Sequence, residues 1–127
     1  MSKKMGILVI DDEPTVCDAL KMILSDSGYE VAIAPTGREG LDKIHRQRFA
    51  ATITDICLPD TSGLTVLSQI REQDPNSLVI VMTAHNVPEI VAESLKRGAL
   101  GVLSKPFPLT DLLDLLNRTL NERPPLA

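Results

Sequence analysis

The chain has 127 residues, 43% of them hydrophobic, and a net charge of −4, which points to one domain of common size with enough apolar side chains for a core. Thirteen Lys and Arg against 17 Asp and Glu leave no basic footprint for direct nucleic-acid contact, and Tyr29, Phe49 and Phe107 are too few aromatics for a base-stacking platform. No apolar run approaches the roughly 20 residues of a membrane span, and the run after Lys3-Lys4 is too short for a signal-peptide core. Cys17 and Cys57 have no metal-type spacing and read as reduced thiols, so the expected compartment is the cytoplasm.

Residues 7–10 are continuously apolar, as in a strand buried on both faces. Asp12-Glu13-Pro14 opens a helix, because acids suit the positive end of the helix dipole and Pro is tolerated in the first turn. Its stripe is Val16, Ala19, Leu20, Ile23 and Leu24, and Gly28 ends it. Residues 30–34 predict a shorter, more polar edge strand. Thr36-Gly37-Arg38-Glu39 fits a capping box for a helix that turns Gly40, Leu41 and Ile44 inward and ends near Arg46. Phe49 leads into a third strand that stops at Asp55. The run Leu58-Pro59-Asp60-Thr61-Ser62-Gly63 is turn-rich, and the helix after it sets Leu64, Leu67 and Ile70 on one face before Asp74-Pro75-Asn76 breaks it.

Residues 78–82 predict the fourth strand. Pro88 opens a helix that buries Val91 and Leu95 and stops at Gly98, and residues 100–103 predict the fifth strand. A last helix from about Leu109 to Leu120 gathers Leu109, Leu112, Leu113, Leu116 and Leu120 on one face and leaves Leu115 off it, a hint of an interface. The domain is expected to span residues 1–121, with 122–127 as a tail or the start of a linker.

Five strand–helix units in succession specify a parallel sheet with right-handed crossovers and helices on both faces. In such sheets ligands sit at the carboxyl ends of the strands. If the strands lie side by side, Asp11, Asp12, Asp55, Thr83 and Lys105 converge there. Three clustered carboxylates repel one another and need a proton or a cation. Hard oxygen donors with no clustered His or Cys favour magnesium.

Asp11-Asp12, Asp55, Thr83-Ala84 and Lys105-Pro106-Phe107, each following a strand, together with the Pro-containing loop at 58–63, resemble the receiver domain of two-component response regulators. The resemblance covers residues 6 to about 121, and the general run is most similar to receivers of transcriptional regulators. It implies a flavodoxin-like (βα)5 fold with strand order 2-1-3-4-5 and Asp55 as the phosphoacceptor nucleophile. It also implies Mg2+ held by Asp11, Asp12, Asp55 and the backbone carbonyl of Cys57, with Thr83 and Lys105 as phosphoryl ligands and a cis bond before Pro106. The implied donor is a sensor histidine kinase or a histidine phosphotransfer protein. The implied output face comprises the fourth helix, fifth strand and fifth helix, through which a homodimer can form. Such a domain is regulatory and catalyses only its own phosphorylation and dephosphorylation.

The chain departs from that family at Val102, where receivers usually carry Tyr or Phe, so the ring whose swing couples to Thr83 is missing. Cys57 and His85 stand where the family flanks the path of the attacking water, and Ala84 is small enough to leave a phosphoryl group accessible. Cys57 and His85 are therefore expected to set the autodephosphorylation rate. Taken alone, Asp11-Asp12 reads as helix-start acids, Cys17 as packing and His45 as a solvent-facing residue. The alternatives are a stand-alone signalling receiver, a Mg2+-dependent aspartyl-phosphate phosphatase and an unphosphorylated scaffold module. The phosphatase needs a second Asp where Cys57 stands. A flavin-binding module needs a Ser-, Thr- and Gly-rich loop where Asp11-Asp12-Glu13 would repel phosphate.

Overall fold

The computed structural model describes residues 4–85 and 87–121. Its elements alternate in chain order: β1 (Gly6–Ile10), α1 (Pro14–Asp26), β2 (Glu30–Ala34), α2 (Gly37–Arg46), β3 (Ala51–Asp55), α3 (Gly63–Gln73), β4 (Leu78–Thr83), α4 (Pro88–Lys96), β5 (Gly101–Ser104) and α5 (Leu109–Asn121). All strand pairs are parallel and the order is β2-β1-β3-β4-β5, the flavodoxin-like arrangement expected from the sequence. Among the described residues no helix is long and apolar enough to cross a membrane.

Successive side chains of a strand point to opposite faces, so the continuous apolar strands feed two cores. Ile7, Val9, Ile53, Ile80 and Met82 pack under α1 and α5 with Cys17, Leu20, Leu24, Leu112, Leu116 and Leu120. Leu8, Ile10, Val79 and Val81 pack on the other face with Val66, Leu67 and Ile70 of α3 and with the partly buried Leu41, Ile44 and Ile90. Tyr29 is buried just before β2, and its hydroxyl donates to Asn117 Oδ1 at 2.5 Å, which ties α5 to the edge of the sheet. Gly28 takes a φ of +97°, a left-handed conformation that favours glycine, and α1 ends just before it.

The register brings the strand ends level. Ile10 pairs with Thr54, so Asp11 and Asp55 leave adjacent strands together. β4 runs one residue further than expected and β5 lies one residue later, which pairs Thr83 with Ser104. The Lys105 N–H then donates to the Thr83 carbonyl at 2.8 Å.

In α3, Leu64, Leu67 and Ile70 all pack on the second core as expected, and Val66 joins them. Two other expectations about helix faces need correction. In α4, Leu95 is 50% exposed and Val91 only half-buried, whereas Ser94 is fully buried above Ile90. Ile90 and Ser94, four residues apart, form the stripe that meets the sheet, and Leu95 lies about 100° further round the helix. The Ser94 hydroxyl satisfies itself by donating to the Ile90 carbonyl at 2.7 Å, which lets a polar side chain take the inward position. Finally, Leu115 packs half-buried against the first core rather than standing off it. Gly101 makes the room, since a Cβ there would lie 3.3 Å from Leu115 Cδ2. The proposed tail at 122–127 lies outside the described residues.

Candidate functional site

Asp11 follows β1, Asp55 ends β3 and Lys105 follows β5, and the sheet order sets their side chains around one point. The Lys105 ammonium donates to Asp11 Oδ2 at 2.7 Å, to Asp55 Oδ2 at 2.9 Å and to Glu13 Oε1 at 3.2 Å. Carboxylate oxygens of Asp11, Asp12 and Asp55 lie within 4.8 Å of one another. Asp11 and Asp55 are buried, and Asp12 is exposed. The other oxygen of each buried acid meets the backbone: Asp11 Oδ1 accepts from Glu13 N at 2.9 Å and Asp55 Oδ1 from Cys57 N at 3.2 Å.

Burial pushes the Asp11 carboxyl above its ordinary value, and the hydrogen bond from Lys105 does not cancel that effect. Burial by itself would lower Lys105, but the hydrogen bonds to Asp11 and Asp55 outweigh it and hold the ammonium charged well above the usual lysine range. One cation thus stands among four acids, an excess of negative oxygen donors with two exposed members, Asp12 and Glu13, which fits a hard divalent cation such as magnesium.

The response regulator receiver domain family matches this chain over residues 7–117. The chain belongs to that family. The transcriptional regulatory protein ZraR of Escherichia coli strain K12 is 35% identical over 116 residues, which make up 91% of this chain and 26% of ZraR. The receiver therefore spans about a quarter of that relative's length. Among solved structures, a CheY-like receiver from Methanospirillum hungatei JF-1 superposes with a TM-score of 0.90 at 36% identity, covering 94% of this chain and 96% of that one. The beryllofluoride-activated NtrC4 receiver domain dimer gives 0.84 at 33% identity, with coverage of 91% and 97%.

The remaining residues singled out from the sequence fall around the receiver site in different ways. Thr83 is buried at the end of β4, and its hydroxyl is engaged locally, donating to the His85 carbonyl at 3.1 Å and accepting from His85 N at 3.0 Å. Ala84, His85 and Cys57 are exposed. Val102 is half-buried and packs against the second core. The Lys105-Pro106 bond is cis, as the resemblance implied. Cys17 is a packing residue whose thiol burial pushes up to about 11; it donates to the Asp11 carbonyl at 3.2 Å.

Two residues of this receiver were not anticipated. Glu13, expected as a helix-start acid in the acidic run after β1, is the third partner of Lys105. Asp60 was read only as part of a turn, yet it caps a distant helix. Its Oδ1 accepts from Gly37 N and its Oδ2 from Arg38 N, each at 2.9 Å. Thr36 Oγ1 accepts from Glu39 N at 3.1 Å. Three of the four orphan N–H groups at the start of α2 are thereby satisfied. The loop after Asp55 is thus pinned to α2, with the Cys57 N–H against Asp55 Oδ1.

Asp60→Ala is expected to cost about 1 kcal/mol, the usual scale of a lost cap. The Arg38 and then the Gly37 N–H bonds hold the Asp60 carboxyl below its ordinary value of 3.8. A lowered folded-state value means the contribution is complete above that ordinary value and fades as pH falls through the folded one. Urea midpoints of wild type and variant should therefore differ more at pH 7 than at pH 3.

Proposed function

We propose that Asp55 accepts a phosphoryl group from a phosphohistidine on a sensor histidine kinase or a histidine phosphotransfer protein. The observation that carries this reading is the Lys105 ammonium 2.9 Å from Asp55 Oδ2 while it also holds Asp11, with Asp12 beside them. An Asp55 oxygen attacks phosphorus, the P–N bond breaks, and its electron pair stays on the imidazole nitrogen. Lys105 bonds an oxygen of the transferring group and so offsets its charge where placement and electrostatics dominate the barrier. Asp11, Asp12, Asp55 and the Cys57 carbonyl would hold magnesium, which supplies further positive charge to the phosphoryl oxygens when bound. In a separate step water attacks phosphorus, the P–O bond to Asp55 breaks, and inorganic phosphate leaves with the Asp55 carboxylate restored. The domain thus acts as a regulatory phosphoacceptor and catalyses only these two steps on itself.

The Thr83 hydroxyl leaves the His85 carbonyl and donates to a phosphoryl oxygen, which draws the segment between β4 and α4 toward the site. The output face is α4, β5 and α5, with Leu95 exposed on α4. Its use for dimerisation or effector contact is supported by the likeness to the NtrC4 receiver dimer. Val102 has no ring to swing, so coupling runs through the backbone between β4 and α4. We read the domain as the cytoplasmic regulatory part of a transcriptional response regulator, a reading supported by the similarity to ZraR.

Incubation with acetyl phosphate and magnesium should add one phosphoryl group by intact mass, and Asp55→Asn should add none. A wild type that gains no mass would sink the reading. Decay after donor removal tests the exposed pair beside the site: an unchanged rate in a Cys57→Ser/His85→Ala double variant would remove both from setting the phosphoryl lifetime.

A further inference from the structure

A lysine ammonium has three N–H donors, and all three of Lys105 are engaged, by Asp11, Asp55 and Glu13. None is left for an oxygen of an incoming phosphoryl group. One bond must open first, and the three are unequal. The Asp11 side chain is fully buried, so an opened bond there would leave a carboxylate unpaired away from water. Asp55 is the acceptor itself. The Glu13 bond is the longest of the three, and its side chain is 57% exposed, so water replaces it readily.

Glu13 is also free of its other expected task. It stands at the N-cap of α1 but makes no side-chain bond to the N–H groups of that helix. Its carboxylate reaches instead across 92 residues of sequence to Lys105.

We propose that Glu13 is a positioning residue that holds the Lys105 ammonium in the resting site and must release it before Lys105 can bond a phosphoryl oxygen. Because this hold exists only in the resting site, it opposes phosphorylation by its own strength. Weakening it shifts the receiver toward the phosphorylated state without any contact between Glu13 and the reacting atoms. The inference rests on Asp55 being the phosphoacceptor.

The test uses beryllofluoride as the probe at saturating magnesium, with calorimetric affinity as the readout. Two variants separate the bond from the charge. Glu13→Ala removes both. Glu13→Asp keeps the charge but shortens the arm, and the existing bond is already the longest of the three. If the bond is what matters, both variants bind beryllofluoride roughly three- to fivefold more tightly, the scale of a partly exposed ion pair. If only Glu13→Ala gains, the effect is general repulsion and the proposal falls. If neither gains, or both weaken, Glu13 does not restrain Lys105 and the proposal also falls. Acetyl phosphate on wild type is run alongside. No mass gain there would overturn the phosphoacceptor reading, whereas a normal gain with unchanged variants would overturn only the role of Glu13.

Discussion

Lys105→Met is expected to lower the unfolding free energy by about 3 kcal/mol in magnesium-free buffer, the low end for removing one partner of a buried ion pair. The lysine side chain is 14% exposed and its partners Asp11 and Asp55 are 0% and 9% exposed, so water can replace little of what it supplies. Its removal leaves carboxylates facing each other at the ends of β1 and β3. Magnesium added to saturation should restore part of the loss, because a cation that binds the folded state alone stabilises it by mass action. Comparing urea unfolding in chelator and in magnesium measures this. Equal stability of wild type and variant in chelator would show that the acids need no partner. Phosphorylation by acetyl phosphate should slow at least about 100-fold, the scale of losing one preorganised charge donor. The pH sign is also defined. The Lys105 pKa is raised above the ordinary 10.5 by its hydrogen bonds with Asp11 and Asp55, which outweigh its burial. Its contribution is therefore complete below that ordinary value and is lost only at more alkaline pH.

Gly63→Ala is expected to be as damaging, for a reason of space. A Cβ at Gly63 would lie 2.1 Å from the Asp55 carbonyl oxygen, 2.8 Å from Ile56 Cα and 2.9 Å from the Asp55 carbonyl carbon. These are backbone atoms and cannot turn aside. The glycine N–H also donates to the Ile56 carbonyl at 2.7 Å, so the start of α3 lies against the segment that carries Asp55. Overpacking of this kind costs about 3 kcal/mol. A displacement of Asp55 near 1 Å is enough to slow transfer about 100-fold. Chemical denaturation and the mass time course should both move. Gly6→Ala is the matched control, because its nearest contact is at 3.4 Å, an ordinary packing distance. Should Gly63→Ala match Gly6→Ala in both measurements, the close approach does not hold the site.

Much of this receiver could be read before any coordinates. The apolar strand runs, the glycine after α1 and the Thr36 cap are patterns within a few residues, and each appears within one residue of where it is expected. Strand order followed from the family resemblance, and Asp11, Asp12, Asp55 and Lys105, picked out at the strand ends, do meet there. The errors lay where two patterns competed. In α4 the sequence offers Val91 and Leu95 as the buried stripe, whereas Ser94, which carries no apolar signal, takes the inward position with Ile90. In α5 Leu115 looked surplus, because the gap above Gly101 belongs to a different element.

By itself, then, the sequence determined which segments become strands and helices, how they alternate, and which polar groups end each strand. Those properties depend on neighbours in the chain, whose spacing local stereochemistry sets. Tertiary structure alone decided other meetings across long separations: Lys105 with Glu13, Asp60 with the start of α2, and Leu115 with Gly101. Such pairs are selected by the register and twist of the whole sheet, and no local run of residues carries that information.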